Sequence, residues 1–188
     1  MKGEFHMNTN APALKRFLAF LIDWYLSSLF GSIPVIIVQS SAQKDLILLN
    51  QLDGLSLPLA WTACIAALFC HFLYYCYLPS RPGKNGLKGQ TLGMRLLHLQ
   101  LLSETGEPLS LGILTVRHMV FVILLQGYLT SSHLYLVSLF QMTTDAYIVP
   151  YVQTFYYIMV LLSLALYLFS RRRQLLQDRL TRSRMTAL

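Results

Sequence analysis

The chain has 188 residues, of which 55% are hydrophobic and only 12% are charged. A soluble domain carries roughly 25% charged residues, so this chain has about half the charge that a water-facing surface needs. That composition excludes an ordinary soluble enzyme domain and a disordered chain. The net charge is +7, but the basic residues lie between long apolar runs. We therefore expect these charges to face a lipid bilayer and not a nucleic acid.

Four apolar runs are each long enough to cross a bilayer, which takes about 20 residues. They predict an all-α fold, a four-helix membrane bundle that forms a single domain over residues 1–188. The first run is interpreted as an uncleaved signal-anchor, because it is too long for a signal peptide and contains Asp23. The predicted spans are residues 17–38, 57–78, 119–142 and 148–170.

The Lys and Arg residues predict the orientation of these spans. Fourteen of the 15 lie before the first span, between the second and third, or after the fourth, and only Lys44 lies on the other side. We therefore expect both termini to face the cytoplasm. Residues 79–118 are then a cytoplasmic loop with an interfacial segment, and residues 171–188 are a basic cytoplasmic tail.

The loop between the second and third spans contains two predicted elements. Leu97–Leu101 alternates apolar and polar residues, which predicts a short strand against the membrane face. Ser110 predicts the start of an interfacial helix that leads into the third span. Leucines among the basic residues of the tail predict that the tail lies flat on the same surface.

Asp23 is the candidate site residue of the first span. It lies seven residues after Arg16, on the same helix face and roughly 10 Å deeper. Acidic residues at such depth normally face a bundle interior or a wet cavity. One interpretation is a cation or proton site, or a substrate contact. The other is a structural carboxylate that an Arg or a neighbouring helix neutralises.

His71 lies at a matching depth in the second span, so an Asp23–His71 pair could relay protons. The alternative is a histidine that is hydrogen-bonded to a helix neighbour. Cys64, Cys70 and Cys76 match no metal or redox motif and are interpreted as small apolar residues. The sequence also contains no nucleotide-binding, zinc or hydrolase motif. We therefore expect no enzyme activity, no catalytic residue, no metal and no cofactor.

Four short motifs follow one another along the chain: R-F-L-A-F-L-I-D-W at 16–24, G-Q-T-L-G-M-R-L-L at 89–97, E-T-G-E-P-L-S at 104–110 and Q-D-R-L at 177–180. Together they resemble the RDD family of bacterial multispanning membrane proteins, although Gln177 stands where the closing motif usually has His. The resemblance implies that Arg16, Asp23 and Asp178 are the residues that give the family its name. It also implies the bacterial cytoplasmic membrane and a suspected role in transport, in some members sodium–proton exchange. The central motif of the family corresponds here to Gly89, Thr91, Gly93 and Arg95.

These observations leave two functions open. The first is a small membrane transporter, for example a cation–proton exchanger, in which Asp23 alternates between protonated and cation-bound forms. Four helices form a thin wall around a pathway, so a homo-oligomer is expected. The second is a non-transporting accessory or regulatory subunit that binds another membrane protein, with Arg16, Asp23 and Asp178 as a structural clasp.

In either case we expect Arg16, Asp23 and Asp178 to form one polar cluster near the cytoplasmic face. The side chain of Arg16 is long enough to reach down toward Asp23 or sideways to the tail. Asp178 is expected to lie nearer to water than Arg16. Its replacement by Asn should therefore destabilise the protein less than removal of Arg16.

Overall fold

The structure, a computed structural model, describes residues 11–43, 52, 54–83, 86–125, 130–144, 147–169 and 174–188. It is 72% helical and contains a small two-stranded sheet. Some residues on which the sequence predictions rest lie outside the described residues: Lys2, Lys44, Lys84, Arg171–Arg173 and the end of the fourth predicted span at Ser170.

Two long helices begin the fold. Helix α1 is Ala13–Gln43, and helix α2 is Leu57–Phe72. Helix α2 continues through a π-helical turn at Leu73–Tyr77 into Leu78–Ser80. Three segments are long and apolar enough to cross a membrane: Ala13–Ala42, Leu57–Ser80 and Val149–Phe169. They agree with the first, second and fourth predicted spans.

Two short elements follow α2. Helix α3 is Leu92–Leu96 and strand β1 is Leu99–Ser103. The strand therefore begins two residues later than the sequence predicts. The reason is that Leu97 and His98 form a turn, in which His98 has a φ of 54°.

The third predicted span, residues 119–142, is not one continuous helix, so the predicted four-helix bundle is not confirmed. Helix α4 begins at Leu111–Thr115 and continues as a π-helix over Val116–Leu125. The Ser110 side chain caps it by accepting a hydrogen bond from the Ile113 amide, as predicted. Helix α5, Ser131–Thr143, is a separate helix.

Local polarity explains why the chain starts a new helix at this point. Thr130 has an extended backbone, with φ −97° and ψ 140°, and its hydroxyl accepts a hydrogen bond from the His133 amide. Thr and Ser are favoured at helix starts because their side chains bond to the amides of the first turn. The run Thr130–His133 therefore provides a helix start inside an otherwise apolar segment. This signal was missed because the segment was judged by its average hydropathy.

The chain ends in a helix and two short elements. Helix α6 is Val149–Phe169, in which only Val149 and Ser163 are buried. Helix α7 is Leu176–Leu180, and strand β2 is Ser183–Ala187. Strands β1 and β2 pair antiparallel, with Leu99 opposite Ala187. The sequence did not predict this second strand, and the position of the tail on the membrane surface stays a prediction.

The core has two parts. The first lies where α1, α2 and α5 meet, and small side chains of α2 (Ala60, Ala63, Cys64 and Ala67) let these helices approach closely. The second lies beneath α3 and β1, where Leu99 and Leu101 are buried with Ala19, Cys76, Met94 and Leu114. We call α3, β1, α7 and β2 together the cap. The second core cluster joins this cap to the helices.

Candidate functional site

Asp23 is buried on α1, only 3% exposed, and accepts three hydrogen bonds. Its Oδ1 accepts from the Tyr74 hydroxyl at 2.6 Å and from the Gly93 amide at 2.8 Å. Its Oδ2 accepts from the Thr91 hydroxyl at 2.5 Å. We call Asp23, Tyr74, Thr91 and Gly93 the Asp23 cluster. One carboxylate thus links α1, the π-helical turn of α2 and the start of α3.

The residues of the central motif fit this arrangement one by one. Thr91 caps α3 by accepting from the Met94 amide, while its own hydroxyl donates to Asp23. Gly93 lies so close to α1 that a Cβ at this position would be 2.6 Å from the Ala19 carbonyl oxygen and 2.9 Å from the Asp23 carboxyl group. Any side chain at position 93 would therefore push α3 away from the carboxylate.

Gly89 has a different role in the same motif. Its φ is +80°, a conformation that glycine adopts easily, and a Cβ would collide with the Leu101 carbonyl oxygen. Its own carbonyl accepts from the Leu101 amide at 2.8 Å, and the neighbouring Gln90 side chain donates to the Leu99 carbonyl at 2.7 Å. Gly89 and Gln90 therefore hold the loop against β1. Arg95 lies against Gly83 of the preceding loop, 3.3 Å from where a Cβ of that glycine would be.

Asp178 forms the centre of a second cluster, together with Arg16, Arg117 and Ser183. Its Oδ2 is 3.2 Å from Nη2 of Arg16, and its Oδ1 bonds to Nη2 of Arg117. Nε of Arg117 donates to the Ser183 hydroxyl at 3.3 Å. This Asp178 cluster joins the first turn of α1, the π-helical part of α4, helix α7 and strand β2.

The structure therefore brings Arg16 and Asp178 together but places Asp23 in a separate cluster. Arg117 was not among the predicted site residues. The sequence signal for Arg117 is its position just before the third predicted span. This arginine was used only to predict the orientation of the spans. The premise that Asp178 lies near water is wrong, because Asp178 is 2% exposed and the side chains of both arginines pack around it.

His71 is 1% exposed and is not hydrogen-bonded to Asp23. Its Nδ1 lies 2.7 Å from the Ser132 hydroxyl of α5 and 3.3 Å from the Ala67 carbonyl. The Asp23–His71 pair is therefore not formed, and the contacts of His71 agree with the alternative interpretation, a histidine hydrogen-bonded to a neighbouring helix. Ser132 was missed by the sequence analysis for the same reason as the break before α5.

Aromatic and polar side chains connect His71 with the Asp178 cluster. The Tyr75 ring lies 6.0 Å from the His71 ring and stacks on the His118 ring at 4.9 Å. Nε2 of His118 is 3.1 Å from Nη1 of Arg117. The Tyr75 hydroxyl shares a hydrogen bond of 3.0 Å with Ser27. Polar groups therefore extend from the cap to the level of His71.

The comparison with known families decides the identity of the chain. The RDD family model matches residues 10–182, which is nearly the whole sequence. The chain belongs to the RDD family. No curated protein and no solved structure matches it.

In this RDD protein the family residues stand at the contacts between the cap and the helices. Asp23 holds the start of α3, and the pair of Arg16 with Asp178 joins α1 to α7. Within the described residues no group of three or more His, Cys, Asp or Glu side chains could hold a metal ion. The chemistry of both clusters is that of charged hydrogen bonds, which are roughly twice as strong as neutral ones.

Replacing Gly89 by Ala should destabilise the protein more than replacing Gly86 by Ala. Both glycines have a positive φ, but a Cβ at Gly86 meets nothing within 4 Å, whereas one at Gly89 meets the Leu101 carbonyl. Gly86→Ala should cost about 1–2 kcal/mol from backbone strain alone. Gly89→Ala should cost clearly more, measured as thermal unfolding of the purified protein in detergent. Equal losses for the two variants would contradict the close approach of Gly89 to β1.

Replacing Asp178 by Asn should destabilise this RDD protein more than replacing Arg16 by Gln. Asp178→Asn leaves the buried Arg117 without its carboxylate, and breaking a buried ion pair costs about 3–5 kcal/mol. Arg16→Gln leaves the contact between Arg117 and Asp178 in place, and Arg16 is the more exposed arginine. Unfolding of both variants in detergent gives the comparison. A larger loss for Arg16→Gln would restore the order that the sequence alone predicts.

Proposed function

We propose that this RDD protein is a small membrane transporter whose pathway passes the break between α4 and α5. The observation that carries the proposal is the polar start of α5, buried against His71 at about the middle of the segment Leu57–Ser80. Irregular backbone inside a membrane is tolerated only where it is buried in protein or lines a water-filled cavity. Discontinuous helices of this kind form the binding sites of many secondary transporters.

Packing supports a segment that crosses the membrane in two pieces. Leu114 of α4 packs with Cys76 near the end of α2, whereas Leu139 of α5 packs with Ala60 and Ala63 near the start of α2. The start of α4 therefore lies beside the end of the segment Leu57–Ser80, and α5 lies beside its beginning. The start of α5 lies next to His71, between these two ends.

For Asp23 we propose a structural role and not the cation site that its depth suggests. Three donors already point at its two oxygens, and two of them belong to the loop and helix of the cap. A cation bound to these oxygens would have to displace donors that also hold α3. If Asp23 bound a transported cation, the cap would therefore have to detach from α1 in every transport cycle.

The second candidate function is the accessory membrane subunit. The observation that favours it is α6, in which only Val149 and Ser163 are buried and one apolar side chain after another faces outward. In the transporter such a surface faces lipid. In an accessory subunit it would bind a helix of another membrane protein or of a second copy of this chain.

For the location we propose the bacterial cytoplasmic membrane with both termini on the cytoplasmic side, since nearly all basic residues lie on one side of the spans. The test is labelling of single cysteines in a variant without Cys64, Cys70 and Cys76. A cysteine at Glu107 should be labelled only after the membrane is permeabilised. One at Tyr147, which is 76% exposed, should be labelled in intact cells. The reverse pattern would invert the proposed orientation.

The transport proposal is tested in liposomes that contain the purified protein and a pH-sensitive dye. We expect protein-dependent flux when gradients of sodium, potassium or chloride salts are imposed. Because the pathway passes His71, His71→Asn should reduce this flux about tenfold or more, as expected for the loss of one strong polar contact. Asp23→Asn should alter thermal stability but not the flux per folded molecule.

The outcomes separate the alternatives. If the wild type carries no flux under any of these gradients, the transporter is excluded and the accessory subunit is favoured. If Asp23→Asn abolishes flux while the variant remains folded, the pathway runs through Asp23 instead of the break. If His71→Asn alone abolishes flux, the proposal stands.

A further inference from the structure

We propose that the start of α5, with Ser131 and His71, forms a binding site for a small anion of about the size of chloride. This inference rests on the proposed transport function, for which it names the substrate class. The site is defined by Gly31, His71, Ser131 and Ser132, which come from α1, α2 and α5. We call it the α5 site.

The helix start supplies hydrogen-bond donors. Helix α5 has 13 residues, and the Thr130 carbonyl accepts from the amides of His133 and Leu134. The amides of Ser131 and Ser132 have no acceptor within the helix, because they belong to its first turn. Both residues are buried, so these amides lie in the interior of the bundle. Aligned amides give a helix N-terminus a partial positive charge, which favours anions.

Two buried side chains independently point to a ligand. Within the described part of the chain, Oγ of Ser131 and Nε2 of His71 have no hydrogen-bond partner. Ser131 is 7% exposed and His71 is 1% exposed. A buried polar group without a partner costs about 1–3 kcal/mol. A ligand that accepts hydrogen bonds at this position removes that cost.

Gly31 of α1 lies against the His71 ring and close to the Ser131 hydroxyl. A Cβ at position 31 would lie 2.6 Å from Cε1 of His71, 2.9 Å from its Nδ1 and 3.6 Å from Oγ of Ser131. The imidazole, the serine hydroxyl and the backbone of α1 therefore approach one another around this glycine. The His71 ring is fixed there by the 2.7 Å contact of its Nδ1 with Ser132.

The charges around the site favour an anion over a cation. Helices α2, α4 and α5 contain no Asp or Glu, and the single acid of α1, Asp23, lies eight residues from Gly31, about 12 Å along the helix. The Asp23 carboxylate is moreover bonded to Tyr74, Thr91 and Gly93. A cation at the α5 site would face the positive end of a helix with no carboxylate beside it. An anion would face amides, a hydroxyl and an imidazole.

Anion binding is measured by thermal unfolding of the purified protein in chloride, bromide and gluconate salts of sodium at equal ionic strength. A ligand that binds only the folded protein raises its stability in proportion to the logarithm of its concentration over Kd. We expect chloride and bromide, but not the larger gluconate, to raise the melting temperature. Equal melting temperatures in the three salts would overturn the anion site.

Two pairs of variants locate the binding. Ser131→Ala should weaken the apparent affinity for bromide about tenfold, the value of one hydrogen bond of roughly 1.4 kcal/mol. Ser80→Ala is the matched control, since it removes a hydroxyl that bonds only to the Tyr77 carbonyl near the end of α2. Gly31→Ala should abolish the effect of bromide. Gly112→Ala should not, because a Cβ at this position meets nothing within 4 Å.

The result also separates this inference from the proposed function. If bromide stabilises the wild type but not Ser131→Ala, and the wild type carries no flux in liposomes, then the anion site is supported and the transport function is excluded. If the protein carries flux but neither chloride nor bromide changes its melting temperature, then the transport function is supported and the anion site is overturned. A halide effect that Ser80→Ala removes as strongly as Ser131→Ala would show non-specific binding and would also overturn it. If Gly31→Ala fails to fold, the comparison of Ser131→Ala with Ser80→Ala alone tests the anion site.

Discussion

A carboxylate inside a membrane protein needs hydrogen-bond donors from the protein itself, because the hydrocarbon of the bilayer offers none. Asp23 meets this need with one donor from α2 and two from the start of α3. The bonds that stabilise the charge are therefore the bonds that fix the cap to the helices. Gly93 makes this possible, since α3 approaches α1 at a distance that leaves no space for a Cβ. The position of β1, which follows α3 directly, depends on the same contacts.

The Asp178 cluster anchors the other strand of the sheet by the same kind of interaction. Arg117 bonds to Asp178 in front of β2 and to Ser183 at its first residue, while Arg16 ties Asp178 to α1. Each strand of the two-stranded sheet is thus held by its own buried carboxylate, and pairing of β1 with β2 joins the two anchors. Because breaking such a buried pair leaves an uncompensated charge, the two clusters favour one arrangement of the cap over alternatives. Asp23 therefore holds α3, and the pair of Arg16 with Asp178 holds α7, at two separate contacts between the cap and the helices.

Much of this arrangement could be predicted from the sequence, and the remainder has physical reasons. Hydropathy indicated three of the spans, and the contact between Arg16 and Asp178 was expected from the resemblance to the RDD family together with the length of an arginine side chain. The partners of Asp23 could not be predicted, because Tyr74 lies about 50 residues away in another helix and Thr91 and Gly93 lie about 70 residues away at the end of a loop without apolar periodicity. Strand β2 was missed because its buried residues are the polar Ser183 and Thr186, and the segment shows no alternating apolar pattern. The break before α5 was missed because four polar residues change the average hydropathy of a 24-residue segment very little.

The two buried carboxylates differ from the polar groups around Gly31 in how fully they are hydrogen-bonded. The carboxylates of Asp23 and Asp178 have hydrogen-bond donors on both oxygens. A structural role in the fold therefore explains why these two acidic residues are buried. Around Gly31 the described residues show the opposite: a serine hydroxyl and an imidazole nitrogen are buried without partners beside the start of a helix. An apolar residue in place of Ser131 would remove part of this cost and would stabilise the bundle. The proposed function therefore rests on the start of α5, whereas Asp23 and the pair of Arg16 with Asp178 hold the cap against the helices.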